Sequence, residues 1–216
     1  MVSVVGGKAP RERHSDNGQR NNARALLGRK AAARRASPIL KKLYGGDLRS
    51  IGRSDQIVSE VIENPRLFGE LFRGMLSENP AVVRLRAADA VEKITRQRPD
   101  YLRRYKRKLI VQVARTDQCG VRWHVAQMLP RLDLTRRDLP SVLDTLRVYL
   151  NDPSRIVATS AMQALADLAK RFPHLLPSVL PELRSRTAAG SAATKARGRK
   201  LLAELDKVVW KSGYEC

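Results

Sequence analysis

The sequence predicts an all-α protein, built as a solenoid of about four helix–turn–helix repeats. Aromatic residues make up only 5% of the chain while alanine and leucine dominate its apolar positions. This composition favours closely packed helices over a β-sandwich. The apolar residues recur with the roughly 3.6-residue period of amphipathic helices. Similar segments then return every 36–38 residues, and such a period is typical of stacked helical arrays.

The repeat is visible when segments are compared directly. DLPSVLDTLR (138–147) and LLPSVLPELR (175–184) are identical at 7 of 10 positions and lie 37 residues apart. Four further segments align with one another at successive offsets of 38, 36 and 37 residues: 83–94, 121–132, 157–168 and 194–205. Because these alignments agree on one period, we expect the units to share a continuous hydrophobic core.

Each repeat is predicted as two helices joined by a turn. The first helices are expected at 66–77, 101–115, 139–150 and 175–186. The second helices are expected at 81–96, 120–132, 154–171 and 192–208. The chain then divides into a basic tail that we expect to be disordered, N-terminal capping helices, the repeat domain and a C-terminal tail: 1–36, 37–64, 65–208 and 209–216.

The turns and the starts of the second helices resemble those of HEAT repeats. The residues that carry the resemblance are acidic residues in the turns and arginines after valine in the helices: Asp117, Asp152, Arg84 and Arg122. Ala158 and Lys195 stand at the arginine position in the later copies, so the arginine ladder is interrupted there. The resemblance covers about 65–208 and implies a right-handed superhelix whose second helices line a concave surface. It implies a scaffold rather than an activity.

The architecture is also similar to that of HEAT-like DNA glycosylases, which remove alkylated purines in a concave cleft with tryptophans and a catalytic aspartate. Here Gln127 lies one turn beyond Trp123, and the nearest carboxylate, Asp133, follows the last core leucine of its helix. A glycosylase therefore remains an alternative, and we expect no catalytic activity.

Trp123 and His124 stand side by side in a helix whose orientation decides their roles. The predicted core stripe of this helix consists of Val121, Val125, Met128, Leu129 and Leu132. Trp123 lies on the opposite, concave side, where it either contacts a partner or is covered by the tail or a neighbouring helix. His124 lies on the flank, where a structural role between repeats is expected. The scattered histidines and cysteines predict no metal site.

Positive charge is the strongest compositional signal. The formal net charge is +21, and residues 1–42 hold 11 Lys or Arg against two acids. Such a chain is attracted to polyanions. With Trp123 and Arg122, the candidate binding residues come from two densely basic stretches: Arg103, Arg104, Lys106, Arg107 and Lys108, then Arg184, Arg186, Lys195, Arg197, Arg199 and Lys200. These side chains neutralise phosphates or merely form solvated helix faces. Asp89 and Glu92, expected on the concave strip, would oppose a phosphate track.

The predicted function is that of a non-catalytic, cytoplasmic binding protein. Nucleic acid is one expected partner, and an acidic protein held in the concave groove is the other. No phosphate-binding loop, paired carboxylates or catalytic triad spacing is found, so no cofactor is expected. No segment has the length of apolar sequence that a membrane helix needs.

Overall fold

A computed structural model describes residues 37–212 except 49, 77 and 78, with side chains as far as Trp210. The chain divides into two units, 1–36 and 37–216, and only the second is described here. The predicted disordered tail lies outside the described residues. Every regular element between 37 and 212 is helical, which confirms the all-α prediction. No helix in this part of the chain is long and apolar enough to cross a membrane.

The α-helices are, in chain order, α1 (Pro38–Lys41), α2 (Ser54–Glu63), α3 (Phe68–Arg73), α4 (Ala81–Gln97), α5 (Lys106–Val111), α6 (Cys119–Met128), α7 (Leu139–Leu150), α8 (Arg155–Arg171), α9 (Leu176–Ala189) and α10 (Ala192–Ser212). Short 3-10 helices lie at Pro65–Leu67, Pro99–Tyr105, Val113–Arg115, Leu129–Arg131 and Pro173–Leu175. Several of these 3-10 helices begin with proline, because proline has no backbone N–H that would need an acceptor at a helix start.

Several predicted helix boundaries differ from the structure. The helix expected at 66–77 begins as a 3-10 turn and ends at Arg73. The helix expected at 101–115 is a 3-10 helix followed by α5, which ends at Val111 between β-branched residues of weak helix propensity. The last helix continues to Ser212, so the first four residues of the expected C-terminal tail are helical.

The even-numbered helices contact one another in chain order. Helix α2 packs on α4, α4 on α6, α6 on α8, and α8 on α10. Odd-numbered helices pack against the even-numbered helix that follows them, as α3 does on α4, α7 on α8 and α9 on α10. Each even-numbered helix from α4 to α8 therefore has an even-numbered neighbour on either side along the chain.

The predicted core stripe of α6 is buried, as are its counterparts in α4 and α8. In α10, Leu201 and Leu205 are buried and Leu202 is half-buried. A Cβ atom at Gly198, which is also buried, would collide with Oγ1 of Thr187 on α9. Glycine at this position therefore allows α10 to approach α9 closely.

The guanidinium of Arg86 on α4 holds the segment before α2 in place. It donates hydrogen bonds of 2.6–3.2 Å to the backbone carbonyls of Leu43, Gly45, Asp47 and Ser50. Gly52 has a positive φ, and a Cβ atom there would lie 2.9 Å from the guanidinium. The chain can therefore wrap this buried cation only with glycine at that position.

Candidate nucleic-acid interface

Arg122, a predicted binding residue, lies in an internal contact. Its Nε donates to Oδ2 of Asp152 at 2.6 Å, and its Nη1 donates to the carbonyls of Thr116 and Asp117. Arg84 takes the same position one repeat earlier and contacts Asp117 at 3.2 Å. The residues that carry the HEAT resemblance are thus brought together in pairs, and Arg122 is occupied by protein acceptors.

The basic stretch before and within α5 presents exposed cations. Arg103, Arg104, Arg107 and Lys108 are exposed and make no ion pair or hydrogen bond through their side chains with the described residues. Lys106 differs from them. Its Nζ donates to Oδ2 of Asp138 at 2.7 Å and to the carbonyl of Asp133 at 2.9 Å.

The contact with Lys106 has an electrostatic consequence at Asp138. Hydrogen bonds from Lys106 and from the backbone N–H of Thr135 lower the pKa of Asp138 to about 2. The ammonium of Lys106 is thus held by a carboxylate that stays ionised. We assign Lys106 to the packing of α5 against the turn before α7.

The second basic stretch lies on α9 and α10. Its cations without a side-chain partner among the described residues are Arg184, Lys195, Arg199 and Lys200. Arg186 donates to the side chain of Asn151, and Arg197 donates to Oε1 of Gln163 at 3.0 Å. The two basic stretches lie in different helix pairs, so each presents its own group of cations.

Most of the described carboxylates are already compensated. Those that take part in ion pairs are Asp55, Glu60, Asp89, Glu92, Asp100, Asp117, Asp138, Asp144, Asp152, Asp167, Glu182 and Glu204. The acidic charge of the folded part is therefore largely neutralised locally, and the excess positive charge is left on exposed side chains.

Asp89 and Glu92 were expected on the exposed concave strip, but both are buried. Glu92 accepts hydrogen bonds from Arg131 at 2.5 Å and from Arg96 at 2.7 Å. Burial alone would raise the pKa of Glu92, but these two guanidinium groups outweigh it and lower the pKa. Both carboxylates face protein cations, so neither presents free negative charge to an approaching phosphate.

No family model, curated protein or solved structure matches this chain.

Trp123 is half-buried, and its ring centroid lies 4.0 Å from that of His124. Farther along the same side of α6, Gln127 and Pro130 line a groove of about 450 Å³ between α4, α6 and α8. Ser160 lines the groove from α8. Part of Trp123 thus remains open to solvent, while the rest of the indole packs on its histidine neighbour.

His124 is buried and faces the preceding long helix. Its Nε2 lies 4.0 Å from Oδ1 of Asp89, and its Nδ1 has no hydrogen-bond partner. Burial lowers the pKa of His124 to about 4, although the nearby carboxylates of Asp89 and Glu92 act in the opposite direction. The imidazole is therefore neutral at neutral pH and serves as a packing residue between α4 and α6.

Sequence reasoning missed that Ser54, Asp89 and His124 lie together. Ser54 Oγ donates to Asp89 Oδ2 at 2.6 Å, so the aspartate stands between the serine and the histidine. A hydrolytic triad requires the histidine in the middle and a reachable hydroxyl, whereas Ser54 is fully buried. The three residues lie 35 positions apart on α2, α4 and α6. This spacing is close to the repeat period, and it is the only feature of the sequence that could have predicted their contact.

The described residues contain no group of three His, Cys, Asp or Glu side chains placed to hold a metal ion.

Proposed function

We propose that this chain is a non-catalytic, HEAT-like α-solenoid that binds nucleic acid through its phosphates. The observation that carries the proposal is the imbalance of charge on the folded part. Its carboxylates are mostly held in ion pairs, whereas Arg103, Arg104, Arg107 and Lys108 are exposed without an acidic partner. Such cations displace the counterions of a phosphate backbone, and this release drives binding.

Two contacts support the HEAT-like architecture. The pairs Arg84–Asp117 and Arg122–Asp152 join corresponding positions of consecutive repeats. The chain-order contacts of the even-numbered helices from α4 to α10 agree with the same arrangement. We infer a stack of helix pairs in which the inter-repeat turns are tied together by arginines.

The binding we propose is tolerant of sequence. The free cations are Arg and Lys on helix surfaces, and such side chains contact phosphates and set the position of a duplex without reading its bases. Gln127 and Ser160 have no side-chain partner among the described residues, but the charged side chains in their groove are already held in ion pairs. We therefore assign the affinity for nucleic acid to the exposed cations.

An acidic protein is the second candidate partner, and one observation favours it. Val111 and Val148 are 49% and 69% exposed and line a groove of about 670 Å³ between α5 and α7. Exposed apolar residues in a groove are typical of protein-binding surfaces. Under this alternative, loss of one apolar anchor should abolish binding that loss of a single cation only weakens.

A glycosylase activity receives little support from the groove on α6. The carboxylate in this groove that could serve as a catalytic acid is Asp167. Its Oδ1 already accepts hydrogen bonds from Gln163 and Lys170. We expect no base release from alkylated duplex DNA. Release that disappears in Asp167→Asn would establish the enzymatic alternative instead.

Binding of labelled DNA and RNA to the full chain, measured by fluorescence anisotropy with polyglutamate as competitor, tests the proposal. We compare Arg103→Gln/Arg104→Gln with Val148→Ser. Nucleic-acid binding that weakens in the first variant and persists in the second supports phosphate recognition. Binding that is displaced by stoichiometric polyglutamate and lost in Val148→Ser supports the protein adaptor.

A further inference from the structure

A groove of about 830 Å³ lies between the end of α3, the start of α4 and the segment that joins α5 to α6. Among the described residues, its lining contains three cations, Arg84, Lys108 and Arg115, and one carboxylate, Asp117. Of these residues only Lys108 belongs to the basic stretches singled out from the sequence. The groove thus gathers positive charge from two repeats into one concave site.

Two of the three cations have no side-chain contact of opposite charge among the described residues. Lys108 and Arg115 are exposed, and within the described chain neither side chain makes an ion pair or hydrogen bond. They follow Arg104 and Arg107, which are also free, along the same segment. Repeated cations of this kind suit a ligand with repeated negative charges better than they suit a single carboxylate.

Arg84 is the third cation, and its guanidinium is only partly satisfied. Nη1 donates to Asp117 at 3.2 Å, but Nε is buried and has no acceptor. The side chain of Arg84 is 15% exposed, whereas that of Asp117 is 88% exposed. A donor without an acceptor is costly, and Arg84 lines the groove, so an anionic oxygen entering the groove would supply an acceptor to this incompletely satisfied guanidinium.

We propose that this groove binds a backbone phosphate of nucleic acid, with Arg84, Lys108 and Arg115 as its donors. Arginine suits the role because its planar fork can offer parallel hydrogen bonds to phosphate oxygens. The inference rests on the proposed function and deepens it, because it places a phosphate contact in one defined groove rather than on any exposed cation.

The test compares matched charge removals in the full chain. Lys108→Gln/Arg115→Gln removes two cations from the groove. Arg136→Gln/Arg137→Gln removes two exposed, unpaired cations from the turn before α7, outside the groove. Arg84→Lys keeps the charge but removes Nε as a donor. Anisotropy with a labelled duplex of about 20 base pairs is measured for each protein over a range of salt concentrations.

The groove variant should bind about tenfold more weakly than the Arg136/Arg137 variant, and its log–log salt slope should be smaller by about 1, as expected for the loss of one phosphate contact. Arg84→Lys should also weaken binding. Circular dichroism serves as the control that each variant is folded. Equal losses in the two double variants would overturn the groove while leaving the proposed function in place. No binding by the parent protein would overturn both. Weaker binding of polyglutamate but not of DNA would assign the groove to an acidic protein.

Discussion

Nε of Arg122 lies 2.6 Å from Oδ2 of Asp152 and ties the start of α6 to the turn between α7 and α8. Asp152 also accepts a hydrogen bond from the backbone N–H of Ser154, the residue immediately before α8. The side chain of Asp152 is 6% exposed and that of Arg122 is 17% exposed. The pair is therefore shielded from water and couples two neighbouring helix pairs.

This shielding predicts different coupling energies for two pairs of the same kind. A double-mutant cycle with Arg122→Gln and Asp152→Asn should give about 1–3 kcal/mol of coupling in the free energy of unfolding. The matched cycle with Arg84→Gln and Asp117→Asn should give less than about 1 kcal/mol, because Asp117 lies in solvent. Urea unfolding measures both. Equal coupling in the two cycles would contradict the difference in burial.

Arg86 should be among the most sensitive positions of the chain. Replacing it with methionine leaves the carbonyls around 43–50 without their donor, and we expect a loss of about 3 kcal/mol in unfolding free energy. Amide exchange should accelerate first in residues 43–52, which the guanidinium holds against α4. A variant with unchanged exchange there would show that the segment is held by other contacts.

Two tyrosines with buried hydroxyl groups provide a matched test of a hydrogen bond. The hydroxyl of Tyr149 donates to the carbonyl of Ala114 at 2.5 Å, whereas the buried hydroxyl of Tyr101 has no partner. Tyr149→Phe should therefore lower the unfolding free energy by about 1–2 kcal/mol, and Tyr101→Phe should leave it nearly unchanged or raise it. Thermal and urea unfolding measure both variants, and equal effects of the two substitutions would contradict a contribution from the bond to Ala114.

His124 should make the protein less stable in mild acid. Its pKa falls from the ordinary 6.5 to about 4 on folding, so between these values the unfolded chain binds a proton that the folded chain does not. Acid therefore favours unfolding. This contribution is absent above about pH 6.5 and grows as the pH falls toward 4, reaching about 2 kcal/mol near pH 5.

Urea unfolding of the parent and of His124→Gln across this pH range measures the effect. The slope of stability against pH should be shallower in His124→Gln than in the parent. An identical slope in the parent and His124→Gln would mean that the proton is accepted in both states.

The helical class and the core of α6 could be predicted from the sequence because they depend on apolar period alone. Val121, Val125 and Met128 recur on one face, and burial of that face follows directly. On α10 the same pattern could not decide between two adjacent leucines. Leu201 is buried and Leu202 is half-buried, and because both are apolar only the packing of α10 against its neighbours separates them.

The candidate site was predicted less completely. Charge density identified the stretches around Arg104 and Arg199 but could not separate free cations from paired ones. Lys106 and Arg122 have their partners 32 and 30 residues away, so their engagement depends on the packing of helices that are distant in the sequence. For the same reason, the groove around Arg84 could not be found from local composition.

The most direct test of the central claim is the salt dependence of duplex DNA binding by the full chain, from about 50 to about 400 mM salt. Phosphate recognition predicts that the logarithm of the association constant falls linearly with the logarithm of salt concentration, by about 0.9 for each phosphate engaged. Several engaged cations therefore give a steep slope. Absence of binding at the lowest salt, or binding whose affinity does not change with salt, would contradict the proposal.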